Sequence, residues 1–509
     1  MTETLILDWC HPTHAFGPLV GTPGAHLFHG GEGQPAARWS FIVAAPAQAV
    51  TLEGGQVFID DTKTSKSFVE VLRAFQETHK ASGEVTGKMI SNVKSPYDLP
   101  PFTHGLAGYL GYEAATLFEP SLTLPSSPFD LPDGCFGRYE AVAAFDRREK
   151  RLLINGVSRL AIDKLAERLN LGTDELQWGY RDLAPRTSSP DGPFALTNDQ
   201  CNFSRSAFMA IVDATKEAIV RGDIFQANIT RQIAMQARAA SDDAYQAAFE
   251  VYCRTVANTD AAHAAFLQFA TGVILSNSPE RFLRIQPRQD GQLHVLVEPI
   301  KGTIARGKTP GEDRALADQL QASQKDRAEN IMIADLLRND LSRVCTPASV
   351  REDEICAILS LTYVHHLVSR ISGTLRPELD SLDALGALFP CGSITGAPKV
   401  EAMGVIAAQE QVGRGPYCGA IGYVNHDGAS DFSVSIRTMM IDQIESNRPC
   451  RLTIPVGGGI TLNSDPAAEY EETVLKALGL SGGLLYDQTN SPYNGGNVHP
   501  PERQPGGSV

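Results

Sequence analysis

The residues in this chain best able to do chemistry are a lysine at the end of an apolar run and two sets of carboxylates at helical spacing. The stretch VLVEPIKGTIARGKTP (295–310) closes its apolar run at Glu298-Pro299-Ile300 and places Lys301 directly before Gly302 and Thr303. An ammonium where a strand leaves the core has two readings. It is an ordinary surface lysine whose stem covers apolar surface, or it is a buried nucleophile, which reacts only as a free amine. In KDRAENIMIADLLRND, Asp326 and Glu329 stand three apart, so one helix face carries both carboxylates. In DPAAEYEETVLKAL, Glu469 and Glu472 repeat that spacing, with Lys476 four residues further on. Taken singly, each is a solvated helix face, and Glu472 with Lys476 is an i,i+4 pair worth about 0.3 kcal/mol. If the two faces met across a cleft, four carboxylates would repel unless a cation lay among them. Hard oxygen donors in an incomplete shell suit Mg²⁺, completed by water and a substrate carboxylate.

Two glycine strings add a third kind of chemistry. PVGGGITLNSDP ends a strand with Gly457, Gly458 and Gly459, which allow close backbone approach and can turn N–H groups toward an anion. CGSITGAPK (391–399) leads into a helix, and by itself it is a tight strand-to-helix turn. Neither string matches a G-x-x-x-x-G-K-[ST] loop or a dinucleotide fingerprint, so nucleotide binding has no support.

These groups need elements to position them. A helix is expected from Ser204, with Phe208, Ile211, Thr215 and Ala218 at helical spacing and Gly222 as its stop. DIFQANITRQIAM reads as a strand, followed by a helix near 241–257 and the hairpin-like stretches AAFLQFATGVILSNSPERFLRI and LHVLVEPIKG. Later helices are expected over 325–338, near 394–408 and near 466–478, with two strand stretches, YCGAIGYVNHDGASDFSVSIRTMMID and RLTIPVGGGITLNS, between the last two. Residues 1–195 form a strand-rich first region. APRTSSPDGPFALTNDQ (184–200) is read as a linker or long loop at its boundary. Residues 196–485 form a second region, and the Pro-, Gly- and Asn-rich tail 486–509 is expected to be disordered.

Bulk properties narrow the class. The 509 residues carry 42% apolar and 20% charged residues, enough for a packed interior. A net charge of −15 with no long basic block argues against nucleic acid or an anionic membrane as partner. An anionic substrate must therefore be captured by local cations and backbone N–H groups. Nine scattered cysteines form no C-x-x-C pair, and no apolar run approaches a membrane span; a reduced, cytoplasmic, soluble protein is expected.

The motifs GDIFQANITR, SNSPERF, PIKGT, DRAENIMIADLLRNDL, HHLVSRISG, GSITGAPK, GPYCGAIGY, FSVSIRT, VGGGI and SDPAAEYEET occur in one order over about 200–480. In that order they closely resemble the chorismate-utilising enzymes, a family that includes anthranilate synthase component I, aminodeoxychorismate synthase component I, isochorismate synthase and salicylate synthase. Residues 1–195 resemble it more loosely, through RWSFIVAAP and GLAGYLGYE. The resemblance implies a large α+β fold of two subdomains, with stacked β-sheets in the core, helices outside and the active site in a cleft. It implies that the substrate is chorismate, a small dianion, bound with Mg²⁺. Carried over by motif, Glu329 and Glu472 would coordinate the metal, with Asp326 and Glu469 supporting it through water. Asp326 departs from the commoner glutamate. Arg437 and Tyr417 would hold the enolpyruvyl carboxylate. Lys476 and the backbone at Gly457 and Gly459 would complete the anion site, with Thr303 and Thr395 also touching substrate. Glu280 matches the family's general acid/base, and His366 would hydrogen-bond near the enolpyruvyl ether. Without the resemblance, Glu280 is a surface ion pair with Arg281 and His366 a satisfied core histidine.

Single positions sort the members. Isochorismate- and salicylate-forming enzymes place a lysine, as base for water, where this chain has Gln226, and an amide cannot take that proton at neutral pH. Anthranilate synthases generally have alanine in the middle of P-I-x-G-T, and aminodeoxychorismate synthases lysine; here it is Lys301. The expectation is therefore amination of chorismate at C4 to aminodeoxychorismate, for 4-aminobenzoate and folate formation. The alternatives are the anthranilate-forming reaction and, from another class, a non-catalytic chorismate or tryptophan sensor. No G-x-C-x-G glutaminase nucleophile is found, so the expected partner is a glutamine amidotransferase subunit that delivers ammonia.

Overall fold

The computed structural model describes residues 2–30, 37–81, 99–170, 192–241, 243–259, 261–446, 448–481 and 484. Short, turn-bounded segments rich in apolar residues give strands, several of them buried on both faces, and these assemble into two antiparallel sheets of twelve strands each. In the first sheet the path runs Glu3–Asp8, Arg151–Gly156, Ala141–Asp146, Trp39–Val43, His26–His29, His263–Gln268, Gly272–Ser278, Thr438–Asp442, Cys450–Ile460, Gln226–Ala239 and Phe194–Cys201. The second contains Ile300–Ala305, Val364–Thr374, Leu293–Val297, Arg281–Pro287, Ser430–Val434, Ala420–Asn425, Gly105–Leu110, Gly134–Tyr139 and Gln48–Glu53, ending in two short edge strands. One core cluster holds Val50, Leu106, Val295 and Phe432 of the second sheet together with Leu267, Ile274 and Met440 of the first, so the sheets stack on shared apolar side chains. This is the expected α+β architecture.

Strands from the two ends of the chain complete one another. His26–His29 pairs with Trp39–Val43 on one side and His263–Gln268 on the other, and Ala420–Asn425 pairs with Gly105–Leu110. The boundary expected at 195/196 falls inside a strand. Phe194–Cys201 pairs antiparallel with Gln226–Ala239, so the second half of the expected linker is an edge of the first sheet. Its Phe194 and Leu196 point inward while Ala195 and Thr197 are exposed, an alternation that outweighs the turn-forming Asn and Asp nearby. Residues 184–191 and the tail 486–509 lie outside the described residues.

The helices that frame the site follow their end signals. Arg205–Arg221 begins at Ser204, whose side chain accepts from the Ala207 N–H, and stops at Gly222 with φ 83°. Gln324–Ser342, Lys399–Glu410 and Pro466–Leu480 are the three later helices, the last opened by Asp465 accepting from the Ala468 N–H with Pro466 at its start. Pro310–Ala322 is a further helix, capped by Thr309, in a stretch for which no element is named from sequence.

Candidate active site

Lys301 and Glu280 meet at a corner of the second sheet. The strand Ile300–Ala305 lies against Val364–Thr374, and its register shifts between Ile300 and Thr303. A bulge of this kind re-aims the side chains inside it, here Lys301 and Gly302. Gly302 has φ 80°, and a Cβ there would stand 2.9 Å from the Asp326 Cβ, so glycine lets the strand press against the start of the Gln324–Ser342 helix. Lys301 Nζ donates to the Ser393 carbonyl at 3.1 Å. The Glu280 carboxyl is 5% exposed and faces the Ser393 hydroxyl, the Ile300 N–H and Lys301. Burial pushes its pKa up, against the pull of Ser393 and Lys301. Its Oε1 has no hydrogen-bond partner among the described residues. A carboxyl whose proton is held more tightly than usual is suited to give it to a leaving group. Arg281 is not its partner: that guanidinium pairs with Glu298 and Asp431 instead.

The two carboxylate faces do face each other. Glu329 is raised by burial and by the like charges of Asp326 and Glu469, with Lys301 and Lys325 opposing. Glu469 is raised by burial and by Glu472, while Ser464, Lys325 and Lys476 hold it down. Glu472 is half-exposed; burial raises it, but Lys476 at 2.7 Å, Lys325 and Arg437 bring it below the usual glutamate range. Among the described residues no three His, Cys, Asp or Glu side chains close into a ready-made metal cage. Mg²⁺ rarely needs one, since it keeps several waters and takes one or two carboxylates plus substrate oxygens. A set of mutually repelling carboxylates on two helices fits that demand.

The anion-binding candidates adjoin these helices. Lys476 Nζ donates to the Gly457 carbonyl at 2.7 Å, and burial lowers its pKa. The glycine strand pairs with Gln226–Ala239 through Gly457↔Thr230 and Gly459↔Asn228. A Cβ at Gly457 would sit 2.5 Å from the Ile229 carbonyl, which leaves no room for a side chain there, and one at Gly458 would press on Glu469 Oε2 at 3.1 Å. Arg437, at φ 50°, is accessible yet walled by protein; burial lowers its pKa, with Tyr417 and Glu472 opposing. Tyr417 is buried and raised by that burial. His366 shares 2.8 Å with Thr303 Oγ1, and burial followed by Arg437 outweighs its Gly302 backbone bond to lower its pKa. Thr395 is fully buried; its hydroxyl donates to the Cys391 carbonyl at 3.1 Å, and its own carbonyl accepts from the Asn228 N–H at 2.7 Å. This network runs Glu280–Lys301–Glu329–Glu469–Glu472–Lys476–Arg437, with Tyr417 and His366 beside Arg437.

Two residues were not among the sequence-derived site residues. Ser393 touches both members of the acid–amine pair, and its signal was its place in the small-residue loop GSITGAPK. Gln226 served only to discount water, yet its side chain is 1% exposed, its amide nitrogen and oxygen have no partner among the described residues, and a Cβ on Gly459 would lie 2.7 Å from its Nε2. A cavity of about 110 Å³ lies elsewhere, between the sheets among Phe28, Trp39, Phe41, Arg281, Arg284 and Tyr423. It contains neither Lys301 nor any of the four carboxylates, so the chemistry is not there.

A family model for chorismate binding enzymes matches residues 28–481, extending well into the first region. The chain belongs to the chorismate-binding enzyme family. Aminodeoxychorismate synthase component 1 of Salmonella typhimurium is 33% identical over 462 residues, covering 90% of this chain and 93% of that one. Anthranilate synthase component 1 of Streptomyces coelicolor is 34% identical over 390 residues, covering 74% and 72%. Among solved structures, anthranilate synthase component I of Streptococcus pneumoniae superposes with a TM-score of 0.69 at 27% identity, covering 88% of this chain and 93% of that one. The menaquinone-specific isochorismate synthase of Escherichia coli shares the fold, with a TM-score of 0.66 at 16% identity over 95% of both chains. No described helix of this family member is long and apolar enough to cross a membrane.

Proposed function

We propose that this chain aminates chorismate at C4, the aminodeoxychorismate-forming activity of component 1. The observation that supports it is the Lys301 amine, 3.1 Å from the Ser393 carbonyl and beside the buried Glu280 carboxyl. In the first step the free amine of Lys301 bonds to C2, the two ring double bonds shift, and the C4–O bond breaks as Glu280 gives its proton, releasing water. In the second, ammonia bonds to C4, the double bonds shift back, and the C2–N bond breaks with its electrons returning to Lys301. The new ammonium then returns a proton to Glu280, so the sum is chorismate plus ammonia to aminodeoxychorismate plus water. Two displacements leave the configuration at C4 retained. Glu329 and Glu472, with Asp326 and Glu469 through water, would hold Mg²⁺, which supplies a Lewis acid to the ring carboxylate. Arg437 and Tyr417 would hold the enolpyruvyl carboxylate, a fork-shaped donor suiting a planar acceptor. Lys476 and the Gly457 and Gly459 backbone would take up remaining negative charge, with Thr303 and Thr395 against the ring.

Ammonia would come from a glutamine amidotransferase subunit, in keeping with the component 1 naming of the relatives, and the product would feed 4-aminobenzoate and folate formation in the cytoplasm. The near-equal identity to an anthranilate synthase favours one second reading, conversion of chorismate to anthranilate and pyruvate. Product identification by mass spectrometry after incubation with chorismate, Mg²⁺ and ammonium decides between them. Aminodeoxychorismate is expected. Fluorescent anthranilate with pyruvate, in the absence of any added lyase, overturns the reading, and binding without turnover would make the chain a sensor.

A further inference from the structure

We propose that Arg281 is a positioning residue that, by gripping Asp431 and Glu298 together, sets the spacing between Glu280 and Lys301. The proposal rests on reading those two as the reacting pair. Arg281 follows Glu280 directly, and neighbours in extended chain project to opposite sides; Glu280 faces Ser393 while Arg281 lines the cavity between the sheets. Arg281 Nε and Nη2 donate to the two Asp431 oxygens at 2.9 and 3.2 Å, and Nη1 donates to Glu298 Oε2 at 2.5 Å. Glu298 stands three residues before Lys301, with only Pro299 and Ile300 between.

No ladder bond runs directly between the strands that carry Arg281 and Lys301. Pairing of Arg281–Pro287 with Leu293–Val297 stops at Arg284↔Leu296. On its other side the first strand slips register between Arg281 and Leu283, and the Lys301 strand slips between Ile300 and Thr303. Glu280 stands one residue ahead of its strand, its carbonyl accepting from the Val434 N–H at 3.1 Å, and Lys301 lies in the bulge, so the Arg281–Glu298 pair spans the splayed end between them. The grip is extended: Arg370 Nε donates to Glu298 Oε1 at 2.8 Å and also pairs with Glu354, so charges alternate across Asp431, Arg281, Glu298, Arg370 and Glu354. Arg281 is 6% exposed and Glu298 17%. Buried ion pairs are poor sources of net stability beside an apolar packing of the same volume, and this one sits where geometry has most effect on chemistry.

Crystal structures of Arg281→Lys and Glu298→Gln, with a melting curve and steady-state kinetics for each, test the proposal. The expected result is a Lys301 amine displaced by about 1 Å or more from the Ser393 carbonyl, with kcat for chorismate consumption down about 10- to 100-fold and KM within about twofold. An unmoved amine with unchanged kcat in a folded variant overturns it, as does a loss confined to KM. Should the single variants fail to fold, the triple variant Arg281→Met, Glu298→Gln, Asp431→Asn removes this arginine and the charges of both its partners. A displaced amine there supports the grip, while wild-type spacing, or failure of the triple to fold, assigns the cluster to stability alone and overturns it. If the wild-type protein consumes no chorismate, the proposed function fails, while the position of the amine still decides the role of Arg281.

Discussion

The acid–amine corner and the two carboxylate faces solve opposite electrostatic problems. At the corner, Glu280 and Lys301 carry opposite charges when ionised and share Ser393 as a common partner, Lys301 in a strand bulge and Glu280 one residue ahead of its strand, so protein contacts hold them before any ligand arrives. Across the faces, burial raises Glu329 and Glu469 and like charges add to it, while Lys301, Lys325 and Lys476 oppose them. The corner is pre-organised by the protein, whereas the faces, on the proposed function, would be completed by a cation. Pre-organised groups serve a transition state without reorganising, and repelling groups make a site whose occupancy a metal can control.

The comparison can be broken first at the corner. Replacing Lys301 with Ala should abolish any covalent adduct seen by intact mass and cut amination about 10⁴-fold or more, the scale of losing a covalent nucleophile. Retention of most activity would mean that ammonia attacks C4 directly. Glu280→Gln keeps the shape and removes the proton, so kcat should fall about 10²- to 10⁴-fold with little change in KM. At the faces the effects should be smaller and should follow the metal. Asp326→Asn should raise the Mg²⁺ concentration needed for half-maximal rate about 10- to 100-fold, and a titration of rate against Mg²⁺ that overlays the wild type would remove Asp326 from the metal's support.

The mildest effect sharpens the contrast. Glu329 and Glu469 have raised pKa values in the folded chain, so the folded state holds their protons to higher pH than the unfolded state does. The contribution of these two groups to stability should therefore fall, not rise, as pH climbs through the carboxylate range in metal-free protein. Glu469→Gln should raise the melting point of the metal-free form, by an amount on the order of 0.3–0.5 kcal/mol for a like-charge pair, and should lose that advantage when Mg²⁺ is added. A lower melting point without metal would show that the faces do not repel.

Much of this was legible because its signals are local. Ser204 and Gly222 bracket a helix as their chemistry requires, and the i,i+3 carboxylates declared their common faces. The helix Pro310–Ala322 also carries a local start signal, in Thr309, Pro310, Glu312 and Asp313. Phe194–Cys201 was obscured by a neighbouring run of turn formers. The intermingling of strands from the two ends of the chain could not be read from periodicity, because an edge that accepts His26–His29 or Gly105–Leu110 lies far away in sequence.

By itself the sequence determined which groups are available, the ordered motifs that place the chain in its family, and the helix faces on which Asp326, Glu329, Glu469 and Glu472 stand. Only the tertiary structure decided that those faces meet, that Arg281 grips Glu298 and Asp431 rather than Glu280, and that Lys301 reaches a carbonyl 92 residues away. The physical reason is range. Helix periodicity and capping act within a few residues, whereas a hydrogen bond between a strand and a distant loop exists only after two stacked sheets have brought them together.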